Sequence, residues 1–556
     1  MIQGLSPSLS PGFRSDPNAA YRRLTIVAAL LFCPALARAT PPSASAVSAT
    51  TIGPAVRAAT PPEMAPEIGD SPDGGVKTVV IPIESPSPRL PAMPSGTPAD
   101  RQKWLAARID EIIGAPVFGR ARVGVSVAEV DSGRPIYGHN EAALYNPASN
   151  VKLVTTASAL AALGPEFRWK TVLYVSQLKG GAVAGNVYLK GYGDPSLVGE
   201  DLWKMASDLA SAGVRRIDGD IAIDDTFFDD VRVGPGFEQK SEDLPFRAPN
   251  GAVSLNYNAC SIHVLPGAHD GAPARVVVEP ASPYFAVVNQ STTAAAGHTN
   301  LTLAAREIEG QTEITVTGRI RTGDPGRVEF RRVAHPDLYA GYSLRELLQR
   351  RGIKCNGKIV RGTVPEGAKA LVAHYSQPLG VLVRDVNKRS NNFMAEQVLK
   401  TLGAESGGKP GTWQKGVEAV GKFLAALGIA RDQYKMTNGS GLYDSNRFSP
   451  AQLVTLLRTA YRDFRFAADF VGSLSLAGAD GTISHRMEGS AAERYVRAKT
   501  GTLSGVSCLS GYAGAPGRMP LAFSILMNDL PESAGNDARR AQDAIAEALV
   551  VFLTAR

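Results

Sequence analysis

Pro147-Ala148-Ser149-Asn150-Val151-Lys152-Leu153 opens a run that stays largely apolar through Ala157, Leu160 and Leu163 to Gly164. The run is rich in Ala and apolar on most sides, so its spacing predicts a deeply buried helix. Positions i and i+3 of a helix share a face, which brings the Ser149 hydroxyl and the Lys152 ammonium together. Pro147 suits the opening of such a helix. The helix's unpaired amides and positive end then lie near Ser149 Oγ and favour negative charge developing there. A serine hydroxyl needs a base to act as a nucleophile, and a partly desolvated lysine can supply one. The spacing alone is weak evidence, because Ser176-Gln177-Leu178-Lys179 repeats it in a segment that reads as a strand end and loop.

Two further motifs add weight. Ser390-Asn391-Asn392 stands just before the helical run Phe393 to Leu399. Ser390 could relay a proton to a leaving group and Asn392 could hold a substrate amide. The competing reading makes Ser390 the cap of the following helix. Lys499-Thr500-Gly501-Thr502 ends one strand pattern and precedes another. Its Lys and Thr side chains suit a carboxylate, and Gly501 permits close backbone approach. The amide near Thr502 could complete an oxyanion hole with that of Ser149. The order Ser-x-x-Lys, Ser-x-Asn, Lys-Thr-Gly is that of penicillin-binding proteins and serine β-lactamases.

With these motifs, the chain resembles the D-alanyl-D-alanine carboxypeptidases/endopeptidases of the class C, low-molecular-mass penicillin-binding type, serine peptidase family S13. The interval from Ser149 to Ser390 is far longer than in a compact β-lactamase, and the family inserts extra domains there. Tyr188 to Pro195, Gly219-Asp220-Ile221, Ser254 to Asn258, Ala479 to Thr482 and the stretch Lys499 to Tyr512 also resemble it. The resemblance covers residues 100 to 553. It implies Ser149 as nucleophile, Lys152 as base and Ser390 as proton relay. Asn392 would orient the acyl side, and Lys499, Thr500, Gly501 and Thr502 would line the site of the terminal carboxylate. Peptidoglycan stem peptides are the implied substrates and β-lactams the covalent inhibitors; no cofactor or metal is implied. Two departures stand out: Asn391 where Asp is common, and Asn438-Gly439-Ser440-Gly441-Leu442-Tyr443 where Asp-Gly-Ser-Gly-Leu-Ser is common.

The resemblance implies a mixed α/β serine β-lactamase/DD-transpeptidase-like domain with a large β-rich insertion of two subdomains. Segment by segment, residues 1–39 read as an export signal, with Arg22-Arg23, the apolar run Leu24 to Leu36 and cleavage after Ala39. Residues 40–98 read as a Pro/Ala/Ser-rich tether, since 41–100 hold 13 of the 38 Pro. Residues 99–167 and 346–556 read as the two parts of the catalytic domain, and 168–345 as the insertion. Within them Val183 to Leu189 reads as a strand, Ser343 to Arg351 as a short helix, and Tyr495 to Lys499, Val506 to Gly511 and Leu521 to Met527 as adjacent strands. The first apolar run is too short for a stable transmembrane anchor, and the expected location is the periplasm.

The formal charge of +7 falls to +4 once residues 1–39 are removed. Basic residues are dispersed and no recognition motif appears, so nothing points to nucleic acid. The composition, 44% apolar and 20% charged, excludes a disordered or collagen-like chain. The seven His show no metal-ligand spacing. A homodimer is compatible with the sequence. A β-lactamase or esterase of the same fold, and a non-catalytic cell-wall binding protein, are the competing functions.

Overall fold

The computed structural model describes residues 93 and 96–555. The expected export signal and nearly all of the expected tether lie outside the described residues. The described chain starts with α1 (Pro98–Ile113), opened by a reciprocal cap between Thr97 and Asp100. Its buried stripe, Leu105, Ile109 and Ile113, follows helical spacing.

One antiparallel sheet organises the region around the nucleophile. Its strands are β1 (Arg122–Glu129), β2 (Pro135–His139), β3 (Ser475–Leu476), β4 (Val496–Leu503), β5 (Val506–Ala515) and β6 (Arg518–Asn528). Their spatial order is β3-β4-β5-β6-β1-β2. The chain's two ends therefore meet at the β6–β1 pair. In β6 every residue from Leu521 to Asn528 is buried, on both faces. Such continuous burial needs helices on either side of the sheet. α1 and the closing helix Gly535–Thr554 pack on one side around Phe523, Ile525 and Met527. The other side carries a helical layer around Leu526, Ala522 and Cys508.

At the centre of that layer is α2 (Val151–Leu163), whose first ten residues are all buried. It adjoins α3 (Asn392–Gly407) and α4 (Trp413–Ala426). The expected helix thus forms, but its first turn, Ala148–Asn150, is 3₁₀ rather than α. The second Ser-x-x-Lys stretch is no helix: Leu178–Lys179 is a two-residue strand.

Residues 170–375 form the β-rich region, with one core around Leu173, Leu189 and Leu344 and a smaller one around Ile262, Ile314 and Val316. Val183 to Leu189, expected as one strand, is broken at Gly185, whose φ of +116° turns the chain between Ala182–Val183 and Val187–Gly191. The helix expected from Ser343 starts earlier, at Pro336, where Pro occupies the first turn. One five-stranded sheet takes strands from both sides of position 345, because Ile359–Arg361 and Lys369–Tyr375 form its two edges.

His374 on that last strand ties the sheet to the neighbouring loop. Its ring nitrogens lie 3.6 Å from Asp194 Oδ2 and 3.8 Å from Asp201 Oδ1. Burial alone would push the imidazole down, but the two carboxylates outweigh it and hold it above the ordinary 6.5. The stabilisation is full below the unfolded value and is lost as pH rises through the higher folded one. Urea melts across that pH range should show wild-type stability falling as pH rises. His374→Gln should flatten that decline; an unchanged slope would remove His374 as its source.

Candidate active site

Ser149 is placed by a strained turn pinned from two directions. Ala148 has φ +45°, unusual for a residue with a Cβ. Asn146 and Asn528 of β6 exchange hydrogen bonds: the Asn146 amide donates to Asn528 Oδ1 at 2.7 Å, and Asn528 Nδ2 donates to the Asn146 carbonyl at 3.0 Å. Asn146 Oδ1 then accepts from the Ala148 amide at 2.9 Å. β4 presses on the same turn, since a Cβ on Gly501 would lie 2.7 Å from the Pro147 oxygen and 3.1 Å from the Ser149 nitrogen. This is the close approach expected of that glycine.

Lys152 Nζ donates to Ser149 Oγ at 2.8 Å, to Asn392 Oδ1 at 2.7 Å and to the Ser440 carbonyl at 2.7 Å. The lysine is fully buried and Ser149 nearly so. A second lysine sits across the site. Lys499 Nζ donates to Ser390 Oγ at 2.9 Å and to the Thr500 carbonyl at 2.8 Å. Thr500 Oγ1 donates to Thr482 Oγ1 at 2.8 Å. The three sequence motifs therefore converge, and Thr502 follows on the same strand.

Ser390 is not the helix cap. Asn391 takes that place, its Oδ1 accepting from the Met394 amide at 3.0 Å. An Asp would make the same bond, which accounts for the first departure. The cap leaves Ser390, at φ +54°, to face Lys499. Asn392 Nδ2 donates to the Phe246 carbonyl at 3.1 Å, so the β-rich region contributes to the site's wall.

The segment 438–446 closes that wall. Asn438 Oδ1 accepts from the Gly441 amide and from Asn446 Nδ2, both at 2.9 Å, while its Nδ2 donates to the Pro235 carbonyl at 2.9 Å. An Asp could not make the last bond. Tyr443 donates its hydroxyl to Glu242 at 2.7 Å and meets the Phe237 ring edge-on. Asn438 and Tyr443 thus bind the loop to the β-rich region. Gly441 has φ +82°, and a Cβ there would fall 1.9 Å from the Ala148 oxygen.

Three contributors were not visible in the sequence: the Ser440 carbonyl, the Asn146–Asn528 pair and Glu396. Backbone acceptors carry no residue signature, and the Asn pair is separated by nearly the whole domain. Arg486 lies away from the site, paired with Asp543 on the closing helix. Among the described residues no three His, Cys, Asp or Glu side chains group to hold a metal. Cys260 and Cys355 are free thiols, and Cys508 Sγ donates to the Asn146 carbonyl at 3.7 Å.

The arrangement offers a hydroxyl bonded to a buried amine, a second hydroxyl bonded to a second amine, and a strand edge beside the nucleophile's amide. The chain is 34% identical over 492 residues to a D-alanyl-D-alanine carboxypeptidase of Actinomadura sp., covering 85% of this chain and 90% of that protein. It is 26% identical over 396 residues to the D-alanyl-D-alanine carboxypeptidase DacB of Haemophilus influenzae, covering 70% and 82% respectively. The crystal structure of penicillin binding protein 4 from Haemophilus influenzae superposes with a TM-score of 0.69 at 23% identity, over 78% of this chain and 98% of that one. That likeness shows a shared mixed α/β fold. Residues 105–549 match the D-Ala-D-Ala carboxypeptidase 3 (S13) family across four-fifths of the sequence, and the chain belongs to that family.

Proposed function

We propose that this chain hydrolyses the D-Ala-D-Ala bond of peptidoglycan stem peptides through an acyl-enzyme on Ser149. The observation that carries the reading is the 2.8 Å contact between Lys152 Nζ and Ser149 Oγ, a fully buried lysine beside a nearly buried serine. Ser149 Oγ attacks the carbonyl carbon of the penultimate D-alanine; Lys152 in its neutral amine form, its two N–H bonds on Asn392 Oδ1 and the Ser440 carbonyl, takes the Ser149 proton on its lone pair. Negative charge on the former carbonyl oxygen falls to the amides of Ser149 and Thr502. The C–N bond breaks and the terminal D-alanine leaves as its amine; Ser390 gives that amine its hydroxyl proton and is reprotonated at the expense of the proton held by Lys152, which returns to the neutral amine. Water then attacks the ester and restores Ser149. Lys499, Thr500 and Thr502 receive the terminal carboxylate, a group that two threonine hydroxyls and an ammonium suit. Asn392 holds the acyl side.

The same attack opens a β-lactam ring, so penicillin is expected to acylate Ser149. A β-lactamase would release the product quickly; this chain should hold it. Cross-linked peptides present the same bond chemistry and extend the reading to endopeptidase activity. The export signal at 1–39 and action in the periplasm belong to the same reading, supported by the sequence of the first 39 residues and by the family's substrate. The division of the chain is proposed as a catalytic domain interrupted by an insertion from 168, with the expected boundary at 345 moved to 375 because the strands 359–361 and 369–375 pair within the insertion's sheet.

Incubation with a synthetic pentapeptide ending in D-Ala-D-Ala, followed by mass spectrometry, tests the activity. One D-alanine should be released per peptide, and cross-linked dimers should be cut to monomers if the cleft admits them. Release from neither substrate would contradict the reading.

A further inference from the structure

Glu396 lies on α3, one turn beyond Asn392, and is fully buried. Its carboxylate makes three hydrogen bonds. Oε2 accepts from Trp413 Nε1 at 2.7 Å and from the Gly439 amide at 2.9 Å, and Oε1 accepts from the Ser440 amide at 2.8 Å. The carbonyl of that same Ser440 accepts from Lys152 Nζ at 2.7 Å. The carbonyl of Gly439 accepts from Thr155 Oγ1, one turn further along α2, at 2.8 Å. A buried carboxylate is costly unless it is hydrogen-bonded, and this one spends two of its three bonds on the backbone that faces the proposed base.

We infer that Glu396 is a positioning residue for the base: it fixes the 439–440 backbone so that the Ser440 carbonyl holds Lys152 Nζ against Ser149 Oγ. This rests on the reading of Ser149 and Lys152 as nucleophile and base. The role has two separable parts. The first is geometric, because both oxygens are needed to hold two successive amides. The second is electrostatic, because a negative charge beyond the Ser440 peptide favours the protonated form of Lys152. Charged groups on the elements packed here include Lys152 on α2 and Lys400 on its own helix, with Asp229 accepting from Lys400 at 2.6 Å and Asp225 and Arg232 also acting on Lys400. α4 presents Trp413, whose ring lies 4.2 Å from Lys400 Nζ. Lys499 acts from the opposite strand, through Ser390.

The test measures the pH dependence of penicillin acylation for wild type, Glu396→Gln, Glu396→Asp and Ser149→Ala. Glutamine keeps one acceptor and loses the charge. Its acylation should fall about 100-fold, as for a base displaced by an ångström. Its acid limb should move to lower pH by roughly one unit, because the base is protonated less readily without the carboxylate. Aspartate keeps the charge but is too short to reach both amides. Its acid limb should stay at the wild-type pH while acylation falls about tenfold or more. A limb that stays put in Glu396→Gln, with or without a loss of rate, overturns the inference, since structural damage alone lowers acylation evenly across pH. Should Glu396→Gln give no folded protein by circular dichroism, Glu396→Asp decides: a wild-type rate there, or a rate loss accompanied by a lowered melting temperature, overturns the inference, and a reduced rate on an unmoved limb with the wild-type melting temperature upholds it. Ser149→Ala separates the two levels. An adduct surviving in that variant overturns the reading of the nucleophile itself, whatever Glu396 does.

Discussion

Ser149→Ala should abolish both D-alanine release and penicillin binding while leaving the protein folded. Serine nucleophiles that act as a unit with their base lose about 10⁶-fold in turnover when removed. The loss should appear in kcat, because the groups proposed to hold the substrate carboxylate, Lys499 and Thr500, are untouched. Stability should change little. Ser149 Oγ is bonded to Lys152 Nζ, but that ammonium keeps Asn392 Oδ1 and the Ser440 carbonyl. A thermal melt within a few degrees of wild type, with substrate still bound, would separate lost chemistry from lost fold. Residual acylation at a tenth of wild type would place the nucleophile elsewhere.

Lys152→Ala should be less severe for activity and worse for stability. General base catalysis contributes about 10²- to 10⁴-fold, so acylation should slow by that factor. Ser149 would keep its place on the pinned turn, held by Asn146 and β6, but without a proton acceptor. The stability cost comes from the partners left behind. Asn392 Oδ1 and the Ser440 carbonyl are buried acceptors that each lose a charged donor. An unsatisfied buried group costs roughly 1–3 kcal/mol. Urea denaturation should therefore show a shift of a few kcal/mol at most, less where water enters the cavity. A variant that acylates at the wild-type rate would assign the base to another group, with Lys499 the first candidate.

The reach of the sequence follows from what kind of interaction each feature depends on. α2 was legible because burial on all sides leaves an unbroken apolar run, and the i, i+3 spacing of Ser149 and Lys152 is local geometry. The strands read at Tyr495 to Lys499, Val506 to Gly511 and Leu521 to Met527 form, but each runs longer, to Leu503, to Ala515 and from Arg518 to Asn528. The convergence of Ser390 and Lys499 on that helix came from the order of motifs, since no local pattern brings residues 149, 390 and 499 together. Ser390 shows the limit of local reading: a serine before a helix is a normal cap, yet Asn391 one position on makes the bond and frees the hydroxyl. Gly185 hid a turn inside what read as one strand. The strands at 359–361 and 369–375 joined a sheet whose other members lie more than a hundred residues earlier, a pairing invisible to composition. Glu396 read as an ordinary helix residue because its partners are two backbone amides and an indole from other segments.

Three hydrogen bonds carry the β-rich region to the site's wall, and two of them come from the 438–443 departure from the common pattern. Asn438 bonds the Pro235 carbonyl, Tyr443 bonds Glu242, and Asn392 bonds the Phe246 carbonyl. The wall facing the acyl side is therefore built jointly by the two regions.

The central claim, an acyl-enzyme on Ser149, is tested most directly by trapping it. Wild-type protein incubated with penicillin, digested and mapped by mass spectrometry should carry one penicilloyl group, on the peptide containing Ser149 and at that residue. The adduct should persist long after free drug is removed. A mass increase located on any other residue, or none at all under conditions where the protein is folded, would contradict the account.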